Sequence, residues 1–358
     1  MENFWDFSSW GFFNLIAVLL VSLLAGNMLK RSIPLLQASL IPTSVLGGTI
    51  LLLFSSGYHL VTGDELFNTP FFGGNGTAWL ELLTYHMLAL GFTASALKSS
   101  DNKLSKKRTI EIFNTGLTTV ATYLLQAFVG LVVCIIATFF VDDLLEAAGL
   151  LLALGYGQGT GQAMNYGSIY ELEYGFVGGK SFGLTVAAMG FLCASIGGVI
   201  YLNLLKRKGK ISFDKGVGSS NEQVEGQNEI PMQESIDKFT VQVALIMAAY
   251  LLAYFMMCGL GALFPGMRTT IFGFNFLLGV LTATIMKAIL TLLKKKKITK
   301  HRYTNSFLLT RTSNFFFDIM VVAGIAAIRL GVLKDYWGII LIMGVVGLVS
   351  TYFYNYFV

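Results

Sequence analysis

Long apolar stretches alternate along the chain with short polar or charged connections, and the stretches are long enough to cross a bilayer as helices. They predict spans at residues 11–29, 37–54, 79–97, 115–140, 178–205, 239–263, 270–293, 306–330 and 336–358. Between them, residues 57–78 read as a polar connection carrying Asp64 and Glu65, and residues 206–237 as a solvated linker rich in Gly, Ser, Glu, Gln and Lys. Basic residues collect at Lys30 and Arg31, at Lys98, Lys103, Lys106, Lys107 and Arg108, at Lys206, Arg207, Lys208 and Lys210, and at Lys294 to Lys297, Lys300 and Arg302. An acidic connection, with Asp142, Asp143 and Glu146, follows the fourth span.

One stretch breaks this pattern. From Leu154 to Gln162 the glycines Gly155, Gly157, Gly159 and Gly161 fall on every second residue within an apolar region. A glycine costs about 1 kcal/mol in a helix interior relative to alanine, so no regular helix is expected here. An unwound backbone survives at membrane depth only where protein or a water-filled cavity satisfies it. Residues 144–170 are therefore expected to form a glycine-rich re-entrant loop, with bare backbone at the glycines and polar groups from Gln158, Thr160, Gln162 and Asn165. The positive-inside rule leads to the same expectation, because only a loop that enters and leaves on one side keeps the clusters after Lys30, Lys98 and Lys206 all cytoplasmic. It places the N-terminus outside, the linker 206–237 inside, and the loop's mouth on the outer face.

The expected fold is thus an all-α polytopic membrane protein of about nine transmembrane helices. A first repeat, 1–205, holds five spans and the loop; the linker 206–237 follows; a second repeat, 238–358, holds four spans and starts from the opposite side. The second copy is expected to be incomplete, without a second glycine-rich loop and a closing helix. Composition agrees with the class: 54% apolar residues, 29 Phe, a mean hydropathy of +0.67, and only 13% charged residues where about 25% is usual. The net charge of +5 sits in the short clusters between spans, so it is no nucleic-acid footprint. Cys134, Cys193 and Cys258 read as buried small hydrophobes, and the first span doubles as the insertion signal.

Ile41-Pro42, Val45 and Gly47-Gly48, then the run from Gly157 to Gly161, then Tyr174-Gly175-Phe176 and Gly197-Gly198, stand in the order seen in the bacterial sodium/glutamate symporter family, which the chain resembles. The resemblance covers the whole chain as topology and the first half as motifs. It implies two inverted five-helix repeats, each with a glycine-rich re-entrant loop, and sodium-coupled symport of glutamate or a similar small carboxylate across the cytoplasmic membrane. The chain departs from the family at Gln158, where a histidine is usual, at Tyr156, where a glycine is usual, and in lacking the second loop. No cofactor is expected beyond sodium as coupling ion, and a homodimer stays open.

Oxygen ligands suit sodium, which makes backbone carbonyls such as that of Gly157, together with Gln158 and Thr160, candidates for it. A helix starting after Gly161 could turn its positive end to a substrate carboxylate. In the eighth span Arg311 and Asp318 lie seven residues apart on nearly one face, with Asn314 between them. Asp318 reads as a cation or proton partner, Arg311 either as a carboxylate ligand or as a snorkelling residue. Lys287 is expected to snorkel, His86 to be a satisfied polar residue, and the stripe Gly183, Ala187, Gly190, Ala194 and Gly197 to be helix packing. Three alternatives stay open: an ion channel, a carrier of another organic anion, and an inactive truncated carrier. An enzyme is not expected, since His59, His86 and His301 are scattered and no paired acids or metal-ligand spacing occur.

Overall fold

A computed structural model describes residues 3–98, 105–209, 236–298 and 301–358. These residues form helices α1 (Phe7–Ser32), α2 (Pro34–Ala38), α3 (Thr43–Thr62), α4 (Gly76–Leu97), α5 (Lys106–Ala137), α6 (Leu151–Gln158), α7 (Thr160–Tyr174), α8 (Gly179–Arg207), α9 (Lys238–Leu263), α10 (Arg268–Gly273), α11 (Asn275–Lys295), α12 (Ser306–Ala326) and α13 (Trp337–Phe357). Among the described residues nine helices are long and apolar enough to cross a membrane, which makes the chain an all-α polytopic membrane protein. Lys103, Lys210, Lys300 and most of the 206–237 linker lie outside the described residues.

Local chemistry explains the helix ends. The Ser105 hydroxyl accepts from Arg108 N (3.2 Å) to cap α5, and Asp237 accepts from Phe239 N (2.8 Å) and Thr240 N (3.3 Å) to cap α9. The second span differs from expectation: Pro42 fixes its start, so it occupies Thr43–Thr62 and ends at Gly63 with φ +79° rather than at 54. The fourth helix likewise starts nine residues before the expected 115, at Lys106, because the Ser105 cap sits there. After the eighth span the chain leaves the α-helix at Ala326.

The helices recur at a fixed interval. The starts of α1, α3, α4 and α5 precede those of α9, α11, α12 and α13 by 231, 232, 230 and 231 residues. The first pair agrees in length too, at 26 residues each.

Contacts divide the chain into two compact units, one of Met1–Tyr85, Ser105–Ile211 and Ile319–Val358 and the other of His86–Leu104 and Ser212–Asp318. Helices α4 and α12 each contribute to both. They are also the most enclosed spans, with 56% of each buried against 17–39% for the other seven.

In the larger unit, α1 and α3 approach backbone to backbone at Gly26 and Gly47, where an added Cβ at either would lie 2.8 Å from main-chain atoms of the other helix. Gly48 of α3 leaves room for Val322 and Ile325 of α12. Helices α5 and α13 run antiparallel, joined by Gln126 to Thr351 (2.8 Å) at one level and Cys134 to Met343 (3.7 Å) at another. Helices α8 and α13 run parallel, with Phe182 beside Tyr336 (6.0 Å between rings), Tyr201 beside Tyr352 (5.7 Å) and Lys208 over the Tyr356 ring (5.3 Å). Gly130 of α5 and Gly149 meet back to back.

In the smaller unit, Leu90, Ala94, Leu97, Ile246, Ala249, Ala283, Leu309 and Phe316 form the core. Here Gly279 of α11 leaves room for Ala89 and Thr93 of α4, at an interval of 231 residues from Gly48. Several polar groups pair internally: Thr282 Oγ1 donates to Ala249 O (2.8 Å), Ser313 Oγ to Gly91 O (2.8 Å), and Gln242 Nε2 to Tyr303 O (2.8 Å). His86 is a satisfied polar residue as expected, its Nδ1 2.8 Å from Tyr250 Oη. Lys287, expected to snorkel, reaches the end of α4. Its Nζ donates to Ala96 O (2.8 Å) and Lys98 O (3.0 Å), because the last carbonyls of α4 have no helical partner and carry the negative end of the dipole. The cysteines also differ from expectation, with Cys134 buried, Cys193 half-buried and Cys258 exposed, since lipid rather than protein can cover an apolar span.

The Gly130–Gly149 contact leaves no space for a side chain. Gly130→Val is expected to cost about 1–3 kcal/mol, the usual penalty for overpacking, and to lower the thermal unfolding temperature in detergent. Gly116→Val, on the same helix with nothing within 4 Å, is the matched control and should leave that temperature nearly unchanged.

Candidate functional site

The glycine-rich stretch is more helical than its composition suggests. A 3-10 turn, Glu146–Leu150, leads into α6, and α7 follows at once, so Gly155 and Gly157 lie within α6 and Gly161 within α7. Only Gly159 leaves the helical region, at φ +79° and ψ −165°. The expectation of a continuous unwound run is corrected by what the other glycines touch: a Cβ at Gly155 would lie 2.8 Å from Ala187 N, and one at Gly157 would collide with the Tyr123 ring. Close approach of α8 and α5 offsets the helix penalty of these glycines.

The path of the segment follows from its neighbours. Tyr336 Oη donates to Asp143 O (3.4 Å) where the segment begins, and the Tyr336 ring lies 5.4 Å from that of Phe176 where it ends. Burial, with Asp143 and Asp335 nearby, pushes the Tyr336 phenol above its usual pKa, so it stays a donor. Going inward, Gly155 and Tyr156 face Ala187 and Gly190 of α8, and Gly159 faces Phe191; coming back, Ala163 faces Gly183 and Gly167 faces Gly179. Helices α6 and α7 thus fold back on each other about Gly159. Phe191 lies twelve residues into α8, about 18 Å along the axis.

At the fold, two helix ends meet. The first backbone bond of α7 runs from Ala163 N to Gly159 O (3.2 Å), so the amides of Thr160, Gly161 and Gln162 precede its hydrogen-bond ladder and carry its positive end. The α6 carbonyls face them with the negative end. The Gly157 carbonyl accepts from Tyr123 Oη (3.0 Å), which leaves it one lone pair for a further partner. Thr160, Gly161, Gln162 and Asn165 are buried, and Gln158 is half-buried. Thr160 Oγ1 lies 3.5 Å from Met320 O, and Asn165 Nδ2 lies 3.5 Å from Gln162 Oε1. The fold therefore brings Gly155, Gly157, Gln158, Gly159, Thr160, Gly161, Gln162 and Asn165 together.

Arg311, Asn314 and Asp318 belong to the smaller unit. They share the exposed face of α12, and the Arg311 guanidinium stacks over Phe307 at 5.2 Å. The small-residue stripe of α8 packs as expected, with Gly183 against Ala163, Ala187 against Gly155, and Gly190 against Tyr156.

Sequence reading missed a charge cluster at the mouth of the hairpin. Lys180 Nζ lies 2.8 Å from Glu81 Oε2 and 3.6 Å from Glu171 Oε2, while Lys180 N donates to Glu171 Oε1 (3.1 Å). Glu81 and Lys180 each stand alone in sequence at the edge of an apolar run; that isolation was the available signal.

No protein-family model, curated protein or solved structure matches the chain.

The backbone at Gly159 lies in a region open essentially to glycine only. Gly159→Ala is expected to destabilise the protein by about 1–3 kcal/mol, read as a lower unfolding temperature. Adding Phe191→Ala, which removes the ring 3.3 Å from the new Cβ, should not restore it, because the strain is in the backbone.

Proposed function

We propose that the chain is a secondary active transporter that couples sodium influx to uptake of glutamate or a similar small carboxylate across the cytoplasmic membrane. The observation that carries the reading is the folded-back pair α6 and α7. Helix α13 is antiparallel to α5 and parallel to α8, so α5 and α8 are antiparallel, and the segment between them makes no net crossing. That supports a re-entrant hairpin whose tip reaches roughly the middle of a hydrocarbon core about 30 Å thick. The interval of about 231 residues between equivalent helices, with α5 antiparallel to its equivalent α13, supports an inverted repeat.

Opposite helix ends at one break suit opposite charges. The α6 carbonyls, with Gln158 and Thr160, offer oxygens to sodium, and the amides at the start of α7 offer donors to a carboxylate. Asp318, Arg311 and Asn314 lie in the other unit and enter this reading from the sequence alone. Glutamate itself rests on the family resemblance. The tip is covered by Phe191 and packed on α12 through Thr160 and Gly324, which favours a carrier over a continuously open channel. In this reading the N-terminus faces outward, the basic clusters face the cytoplasm and the hairpin enters from outside.

Membrane vesicles from cells expressing the protein should take up labelled glutamate at least about tenfold faster with an inward sodium gradient. Equal uptake with potassium or choline in place of sodium would sink the coupling. Orientation is checked separately with Lys208→Cys in a background lacking Cys134, Cys193 and Cys258. An impermeant thiol reagent should leave intact cells unlabelled and label inverted vesicles; labelling of intact cells would reverse the orientation.

A further inference from the structure

A second feature of the larger unit lies apart from the meeting helix ends. Helices α5, α6, α8 and α13 line a cavity of about 470 Å³ that extends to Tyr201 and Asn355, near the C-terminal ends of α8 and α13. Its size falls within the range of small-molecule sites. No charged side chain lines it.

Its polar anchor is Gln126, which lines the cavity and is 3% exposed. The side-chain nitrogen donates to Thr351 Oγ1 (2.8 Å), but the side-chain oxygen, Oε1, is buried with no hydrogen-bond partner. A buried amide oxygen left unpaired is costly, and a rotation of the Gln126 amide that brings Oε1 to the cavity surface would let a donor there remove that cost. The other walls suit a flat apolar body. Tyr201 and Tyr352 present rings 5.7 Å apart, and Gly198 leaves its surroundings open, since a Cβ there would meet only Leu40 at 3.8 Å. The Tyr156 hydroxyl is already committed to Gly344 O (2.7 Å).

We propose that this cavity binds an uncharged small molecule with an aromatic or apolar body and one N–H or O–H donor, held by Gln126 Oε1. No charged side chain in the lining matches glutamate or sodium, so the site goes beyond the transport reading and does not depend on it. Tyr156, two residues before Gly157 on α6, forms part of the wall. An occupant would therefore rest against the hairpin itself.

Cys193 also lines the cavity and reports on occupancy. The full chain carrying Cys134→Ala and Cys258→Ala is reacted with methyl methanethiosulfonate in nanodiscs, and modification of Cys193 is followed by mass spectrometry. The probes are indole, benzofuran of the same shape without a donor, and indole-3-acetate with a charge. Indole is expected to slow modification at a concentration about fivefold lower than benzofuran, the size of effect one hydrogen bond gives, while indole-3-acetate should protect least. Gln126→Leu should abolish the difference between indole and benzofuran. If that variant does not fold, Gly198→Leu, which fills the cavity from a position with open space, should abolish protection by either. An unreactive Cys193, equal protection by indole and benzofuran in the parent chain, protection by indole-3-acetate as strong as by indole, no protection by any probe, or protection unchanged in both variants would each overturn the proposal.

Discussion

A bilayer offers no water to an unpaired peptide group, and in this chain the demand concentrates on one residue. Gly159 interrupts two helices deep among others, so the groups freed there must be housed by protein. Housing them requires backbones to come closer than side chains permit. Gly155 against Ala187, Ala163 against Gly183, and Gly167 against Gly179 supply that closeness along α8, while Gly130 against Gly149 supplies it along α5. The glycines that look like a recipe for disorder are therefore mostly packing devices. One of them makes the break, and the others let neighbours close around it.

The same logic runs through the larger architecture. Helices α4 and α12 are the most enclosed spans, and each receives a glycine from a helix of the other half of the sequence: Gly48 beside Val322 and Ile325, Gly279 beside Ala89 and Thr93. The two contacts stand 231 to 233 residues apart in register, matching the interval between the helix starts. Agreement between contacts supports the proposed repeat further than apolar pattern does, because any polytopic protein repeats apolar spans.

Polar side chains within the spans are costly unless paired, and most are paired locally. Lys287 closes the end of α4, Gln242 binds Tyr303 O and Asn305 N, and Lys180 sits between Glu81 and Glu171. The Gln126 oxygen, like Thr93 Oγ1, is buried and unpaired, and Gln126 lines a cavity.

The number and rough limits of the spans were legible from the sequence, because each must bury about twenty apolar residues and the pattern of Phe, Leu, Ile and Val shows that directly. The alternating glycines also marked where regular structure would fail, and their neighbourhood proved to hold the break. What sequence could not specify was which glycine breaks and which ones pack. That depends on what stands opposite, Tyr123 and Ala187 for Gly157 and Gly155 and nothing but the Phe191 ring for Gly159. Nor could it reveal that Lys287 serves α4, that Glu81, Glu171 and Lys180 converge, or that Gln126 borders a cavity. Periodicity reports how a residue relates to its own helix, whereas these roles are set by partners tens to hundreds of residues away, brought near only when the helices pack.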